Sequence, residues 1–145
     1  MPSGAISGFG TLLKLGDGAT PTEGFTTIGE VKDIGGPDLK LNTADVTNHS
    51  STDGWKEKIG TLLEGGQVAF KVNFIPTTAT HSFSTGLIKD MVNRTKRNFK
   101  LVFPDTGATT WTFAALVTQF KPNEPVDGAL EADVTLDITG KPTLA

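Results

Sequence analysis

From Gly65 to Pro76 the chain alternates. Val68, Phe70, Val72 and Phe74 fall on one face of an extended backbone, and Gln67, Ala69, Lys71 and Asn73 fall on the other. That period of two is the mark of a strand buried on one side. Gly65 and Gly66 permit a tight turn before it, and Pro76, with no N–H to donate, closes it. A more regular alternation runs from Ala129 to Thr139, with Leu130, Ala132, Val134, Leu136 and Ile138 set against Glu131, Asp133, Thr135, Asp137 and Thr139. It predicts a sheet with a buried side and an acidic exposed side. Shorter alternations predict a first strand over Ser7 to Leu15, a second from Leu39 and Leu41 toward Val46, and a hairpin of Phe99 to Phe103 with Thr109 to Phe120. Pro104-Asp105-Thr106-Gly107 supplies that hairpin's turn, and Pro122, Pro125 and Gly128 break the chain after it. Phe25, Ile28, Val31 and Ile34 recur every three residues, which suits neither a strand nor a helix broken at Gly29.

Two stretches depart from the strand pattern. Leu87, Ile88, Met91 and Val92 share a face of a helix beginning near Ser84 or Thr85, with Ser84 as its N-cap and Arg94, Lys96 and Arg97 in its last turns, where cations complement the dipole. Thr47 to Glu64 reads as a long loop, polar and turn-prone through Asn48, His49, Ser50, Ser51, Thr52, Asp53 and Gly54. Trp55, Ile59 and Leu62 then fall at i, i+4 and i+7 on a possible short helix. Such a stripe must bury against something.

Composition narrows the classes. The 145 residues predict one domain, and 17 Gly with 8 Pro imply many turns, which favours β structure. With no Cys there is neither a disulfide framework nor a thiolate zinc site. A net charge of -3 argues against nucleic acid as a tight partner, because counterion release needs a cationic face. No apolar run approaches the roughly 20 residues of a membrane span, and Met1 to Gly10 lacks a basic start followed by an apolar run, so no membrane insertion is expected and the chain reads as made in the cytoplasm.

Catalytic chemistry has little to work with. His49 and His81 stand alone, each read as a solvated loop residue, and no second ligand lies at metal spacing. Gly8-Phe9-Gly10 begins like a dinucleotide fingerprint, but Leu13 stands where the third Gly belongs. Asp105-Thr106-Gly107 matches the short signature of aspartic proteases, whose chemistry needs two such Asp sharing a proton; the turn preferences of Pro, Asp and Gly explain it better. No catalytic residue, cofactor or metal is therefore expected.

The order of elements resembles the tail tube (major tail) proteins of long, non-contractile-tailed phages. The resemblance rests on the Gly-rich first strand, Gly35-Gly36-Pro37-Asp38 and the strand leading into the Trp55 insertion, and Glu64-Gly65-Gly66-Gln67 opening the central strand. The helix before the Lys100 to Phe103 hairpin and the closing Asp137-Ile138-Thr139-Gly140-Lys141-Pro142 complete it. It implies a β-sandwich or barrel-like pair of antiparallel sheets flanked by one α-helix, with a long loop arm, related in fold to type VI secretion tube proteins, and no added immunoglobulin-like domain. It further implies a non-enzymatic structural subunit of the virion tail. Such subunits assemble as hexameric rings stacked into a tube for DNA ejection, with a tape measure protein, a tail terminator and distal tail or baseplate proteins as partners. DNA would pass without specific binding. A ligand- or carbohydrate-binding β-sandwich and a secretion-system tube protein are the alternatives. Asn48, Asp53, Trp55, Ile59 and Leu62 are the expected inter-subunit arm, and Glu131, Asp133 and Asp137 the expected lumen face. Leu39 to Val46, Gln67 to Phe74 and Ala129 to Thr139 are expected to join one sheet across subunits, because open edges of alternating strands seek partners.

Overall fold

The computed structural model describes residues 2–145. In chain order its strands are β1 (Leu12–Gly16), β2 (Phe25–Thr27), β3 (Val31–Gly35), β4 (Lys40–Asp45), β5 (Lys58–Glu64), β6 (Gln67–Asn73), β7 (Arg97–Val102), β8 (Thr110–Asn123) and β9 (Glu131–Leu144), with helix α1 (Leu87–Val92) between β6 and β7. They form two antiparallel sheets: a seven-stranded one in the order β2-β1-β7-β8-β9-β6-β3, and a two-stranded one of β4 and β5.

The larger sheet is rolled, and connectivity requires it. Its edge strands β2 and β3 are consecutive in the chain, joined only by Ile28, Gly29 and Glu30. Laid flat, seven strands would separate those edges by about 29 Å at the usual spacing of about 4.8 Å. The connection reaches at most about 14 Å. The backbone carries the pairing up to this seam, with Ile28 N–H donating to Leu13 O at 2.9 Å and Asn73 N–H to Glu30 O at 3.0 Å. Glu30 takes a left-handed φ of 51°, and this turn explains the spacing of three in the sequence: Phe25 and Ile34 belong to different strands at opposite edges.

The interior is lined by the alternating residues that the sequence marks. Val68, Phe70 and Val72 of β6, Ala132, Val134 and Leu136 of β9, Leu13 and Leu15 of β1, and Phe99 and Leu101 of β7 are all buried. Phe99 stacks on Phe113 with ring centroids 5.8 Å apart, and Phe74 meets Phe120 edge-on at 5.2 Å. The hairpin and the two strong strands therefore stand, with longer arms than alternation alone suggests. β8 continues through Pro122 because β7 pairs only as far as Ala115, leaving that side of β8 with no ladder to break. β1 is shorter than the sequence predicts. It begins at Leu12, after Gly10 at φ 96°, and leaves Phe9 exposed.

The helix is short. α1 has 6 residues, and its N-cap is Gly86, not Ser84. A Cβ at Gly86 would collide with the Thr80 backbone, so the close packing of the preceding turn selects glycine over a hydroxyl cap. Arg94 and Arg97 are not in a last helical turn: Arg94 is left-handed at φ 55°, and Arg97 opens β7. Arg97 turns inward, donating from Nε to Asp90 Oδ1 at 3.0 Å and from a terminal nitrogen to Gly16 O at 3.2 Å. His81, expected to be solvated, is fully buried. Its Nδ1 accepts from Ile75 N–H at 3.2 Å, so Nε2 carries the proton given to Gly29 O at 2.8 Å. The imidazole thus ties the loop before α1 to the seam of the barrel.

Candidate assembly surface

The two-stranded sheet stands apart from the barrel as an arm. Every residue of β5 is exposed, and in β4 only Ala44 is not. The segment from Thr47 to Glu64 is therefore a structured hairpin whose second half is β5, and the short helix expected for Trp55, Ile59 and Leu62 is absent. Thr52–Gly54 forms a single 3-10 turn, with Asp53 left-handed at φ 53°. The i, i+4, i+7 match was coincidental, because Gly60 disfavours a helix while the alternation of β4 offers a ladder.

The tip is held by its own polar groups. Val46 N–H donates to Glu57 O at 2.9 Å, Glu57 N–H to Thr47 Oγ1 at 2.8 Å, and Ser50 N–H to Asn48 Oδ1 at 2.8 Å. Thr47 hydrogen-bonds to Asp45 and holds its carboxyl below the ordinary carboxylate range. Asn48 is thus an Asx-type turn former, and Asp53 is exposed beside it. Trp55 projects from this tip with 74% of its surface exposed.

A β-bulge distributes the arm's apolar side chains. Leu41 pairs with Leu63 and Thr43 with Gly60, so Asn42 of β4 opposes both Thr61 and Leu62 of β5. The extra residue flips the alternation, placing Ile59 with Ala44 on one face and Leu63 with Leu41 on the other. Leu62 and Leu63 are 75% and 80% exposed. The structure brings Trp55, Ile59 and Leu62 onto one arm, with Ile59 and Leu62 in β5 and Trp55 at the tip before it, outside the ladder. It adds Leu39, Leu41 and Leu63, whose signal was the Leu39/Leu41 alternation and the adjacent leucines of β5. At the arm's base, Gly66 is left-handed at φ 71°, where a Cβ would collide with Asp38 O.

The expected acidic face is electrically balanced. Glu131 pairs with Lys32 at 3.2 Å and Asp133 with Lys71 at 4.0 Å, while Asn123 Nδ2 donates to Asp133 at 3.2 Å. Lys121 lies opposite Asp133 on β8. Asp137 is farther along β9, exposed, beside the arm's root. The edge expectation is corrected for two strands: β6 lies between β3 and β9, and β9 as far as Asp137 between β6 and β8, so these ladders are filled within one chain over that length. β4 and β5 each keep an open edge in the arm.

The protease-like Asp105 is a turn cap. Its two oxygens accept from Thr109 N–H at 2.7 Å and Thr109 Oγ1 at 2.6 Å, bonds that lower its pKa. Among the described residues there is no cluster of three or more His, Asp or Glu able to hold a metal, and no helix long and apolar enough to cross a membrane.

A family model described as "Lambda phage tail tube protein, TTP" matches residues 15–145. A comparison with curated protein sequences finds no match. Among solved structures, the chain is similar to a protein in the tail of an empty gene transfer agent particle refined with C6 symmetry. That match has 19% identity and TM-score 0.76, covering 97% of this chain and 99% of that one. It is similar to a chain of the anti-feeding prophage's tube-terminating cap, with 11% identity and TM-score 0.72, over 100% of this chain and 93% of that one. The SPP1 tail tube matches with 14% identity and TM-score 0.66, over 97% and 78%. At these identities the structures speak for the fold.

Proposed function

The chain belongs to the lambda phage tail tube protein family, and on that premise we propose that it is the structural subunit of a hollow tail tube, closing six to a ring as in the C6 gene transfer agent tail. The rings stack into a conduit for DNA delivery, and the subunit performs no catalysis. The observation that carries this reading is the arm. A lone two-stranded sheet is marginal in water, yet this one exposes Trp55, Ile59, Leu62 and Leu63. Large apolar side chains exposed on both faces and at the tip of a projecting element are what an inter-subunit contact looks like before assembly. Asn48 and Asp53 hold and flank the tip that makes the contact.

The lumen reading rests on the outer face of β6 and β9. There Glu131 and Asp133 cover Lys32 and Lys71, so passing phosphates meet two of that face's cations already paired with carboxylates, which weakens their hold. A tail terminator as partner is supported by the fold shared with the tube-terminating cap, and a tape measure protein and baseplate follow from the tube itself. That the tail is non-contractile is supported by the lambda family model; co-purification of a sheath protein would overturn that part alone.

Negative-stain microscopy of concentrated purified protein tests the proposal. Hollow tubes of six-fold rings are expected. A species that stays monomeric at millimolar concentration, or that binds saccharide without assembling, would remove it.

A further inference from the structure

The arm's root and the far end of β9 enclose an open cleft of about 1250 Å³. Its apolar walls are Leu39, Leu41 and Leu63 on the arm side and Trp111, Pro142 and Leu144 on the barrel side. Glu64 and Asp137 also line it, and neither makes an ion pair among the described residues. Asp38 and Lys40 are paired with each other at 3.8 Å, so among the described residues lining the cleft Lys141 is the one cation left to face those two carboxylates. β6 stops opposite Asp137, leaving the rest of β9 laddered on β8 alone. Pro142 removes a donor from that stretch. An added strand would lose a hydrogen bond there, so the cleft suits an inserted side chain better than strand addition.

The tip of the arm carries the complementary group. Trp55 is an exposed aromatic knob, and Lys56 and Lys58 beside it make no ion pair among the described residues. Glu57 between them accepts a hydrogen bond from Ser51 at 2.5 Å. A knob with two cations thus matches an apolar cleft with two carboxylates. It cannot enter the cleft of its own chain, because β5, 7 residues long, holds tip and root apart by about 20 Å.

We propose that Trp55 of one copy inserts into the arm-root cleft of another, with Lys56 and Lys58 facing Asp137 and Glu64. This rests on the tube reading and names its contact. Knob and cleft lie at different places on the chain, so the contact is heterologous and repeats from copy to copy, as a ring or filament needs. Every cleft filled leaves that subunit's own tip free for the next.

The chain has no Cys, so introduced thiols report only on each other. Lys56→Cys and Asp137→Cys proteins, mixed, assembled and oxidised, should give a linked dimer, while Lys56→Cys mixed with Lys89→Cys should not. Trp55→Ala should raise the critical concentration for assembly on the order of 30-fold, with the monomer's melting temperature unchanged. Lys56→Glu and Asp137→Lys should each impair assembly and together restore it. If wild type forms tubes but the mixed Lys56→Cys and Asp137→Cys proteins assemble without linking, and Trp55→Ala assembles as wild type, the insertion is overturned and the tube left standing. Wild-type protein that never assembles would overturn both.

Discussion

Asp90 shows how one residue sets the acid response of the fold. Its side chain is buried on α1, with Oδ1 held by Arg97 and Oδ2 without a hydrogen-bond partner among the described residues. Burial raises its pKa above the ordinary carboxylate range, against the opposing pull of Arg97. A raised folded value means that the folded chain holds the proton more tightly than the unfolded one. Stability from this group is therefore complete below the unfolded carboxylate range, about pH 4, and is lost as pH rises through the raised value. Asp90→Asn should abolish that component, so wild type should lose melting temperature relative to the variant as pH rises from the ordinary carboxylate range through the raised value. A difference that does not change with pH above the ordinary carboxylate range would show that burial does not raise the Asp90 pKa. Arg97→Met strands the buried carboxylate and should cost about 3–5 kcal/mol in urea unfolding at pH 7. His81→Leu leaves Ile75 N–H and Gly29 O without their side-chain partner and should cost about 1–3 kcal/mol for each group that water does not reach. None of this is readable from residue type: a histidine between Thr80 and Ser82 looks solvated until the seam of the barrel closes over it.

At the scale of elements, the barrel strands and the arm should differ in stability. β6 is laddered on both sides inside one chain, whereas β5 pairs only with β4 and buries no side chain. Amides of Lys58 to Glu64 in isolated monomer should exchange orders of magnitude faster than those of Val68 to Asn73 and become protected on assembly. Equal protection in the monomer would mean that the arm packs on its own barrel. Deleting Asn48 to Gly54 should leave the barrel's melting unchanged while blocking tubes. Lys71→Pro has the opposite expectation. It breaks an internal ladder, so the monomer itself should unfold and the variant is silent on assembly. The strands were legible because one buried face imposes a period of two. The arm's first strand, β4, was legible from Leu39 and Leu41, but Thr47 to Glu64 was misread as loop and helix because every residue of β5 faces water and no buried side marks its period.

For the whole molecule, the consequence of the tube is electrical. The face of Glu131 and Asp133 shields its lysines pair by pair, so uncovering them matters more than net charge. Glu131→Lys with Asp133→Lys should leave rings intact but slow DNA ejection at low salt, with recovery as salt screens the new wells. Unchanged ejection would place this face outside the bore.

What the sequence determined by itself was local: alternation at β6 and β9, the Asp105 turn, and an order of elements specific enough to point to a tail tube family. Those features depend on neighbours along the chain, where periodicity and turn chemistry act. Tertiary structure decided what distant residues do to one another. A three-residue link between β2 and β3 rolled the sheet and buried His81. Pairing across β3, β6 and β9 converted an acidic face into ion pairs, and a one-residue bulge chose which leucines of the arm face the cleft. Each follows from which strand lies beside which, and alternation identifies two faces of a strand without naming its neighbour.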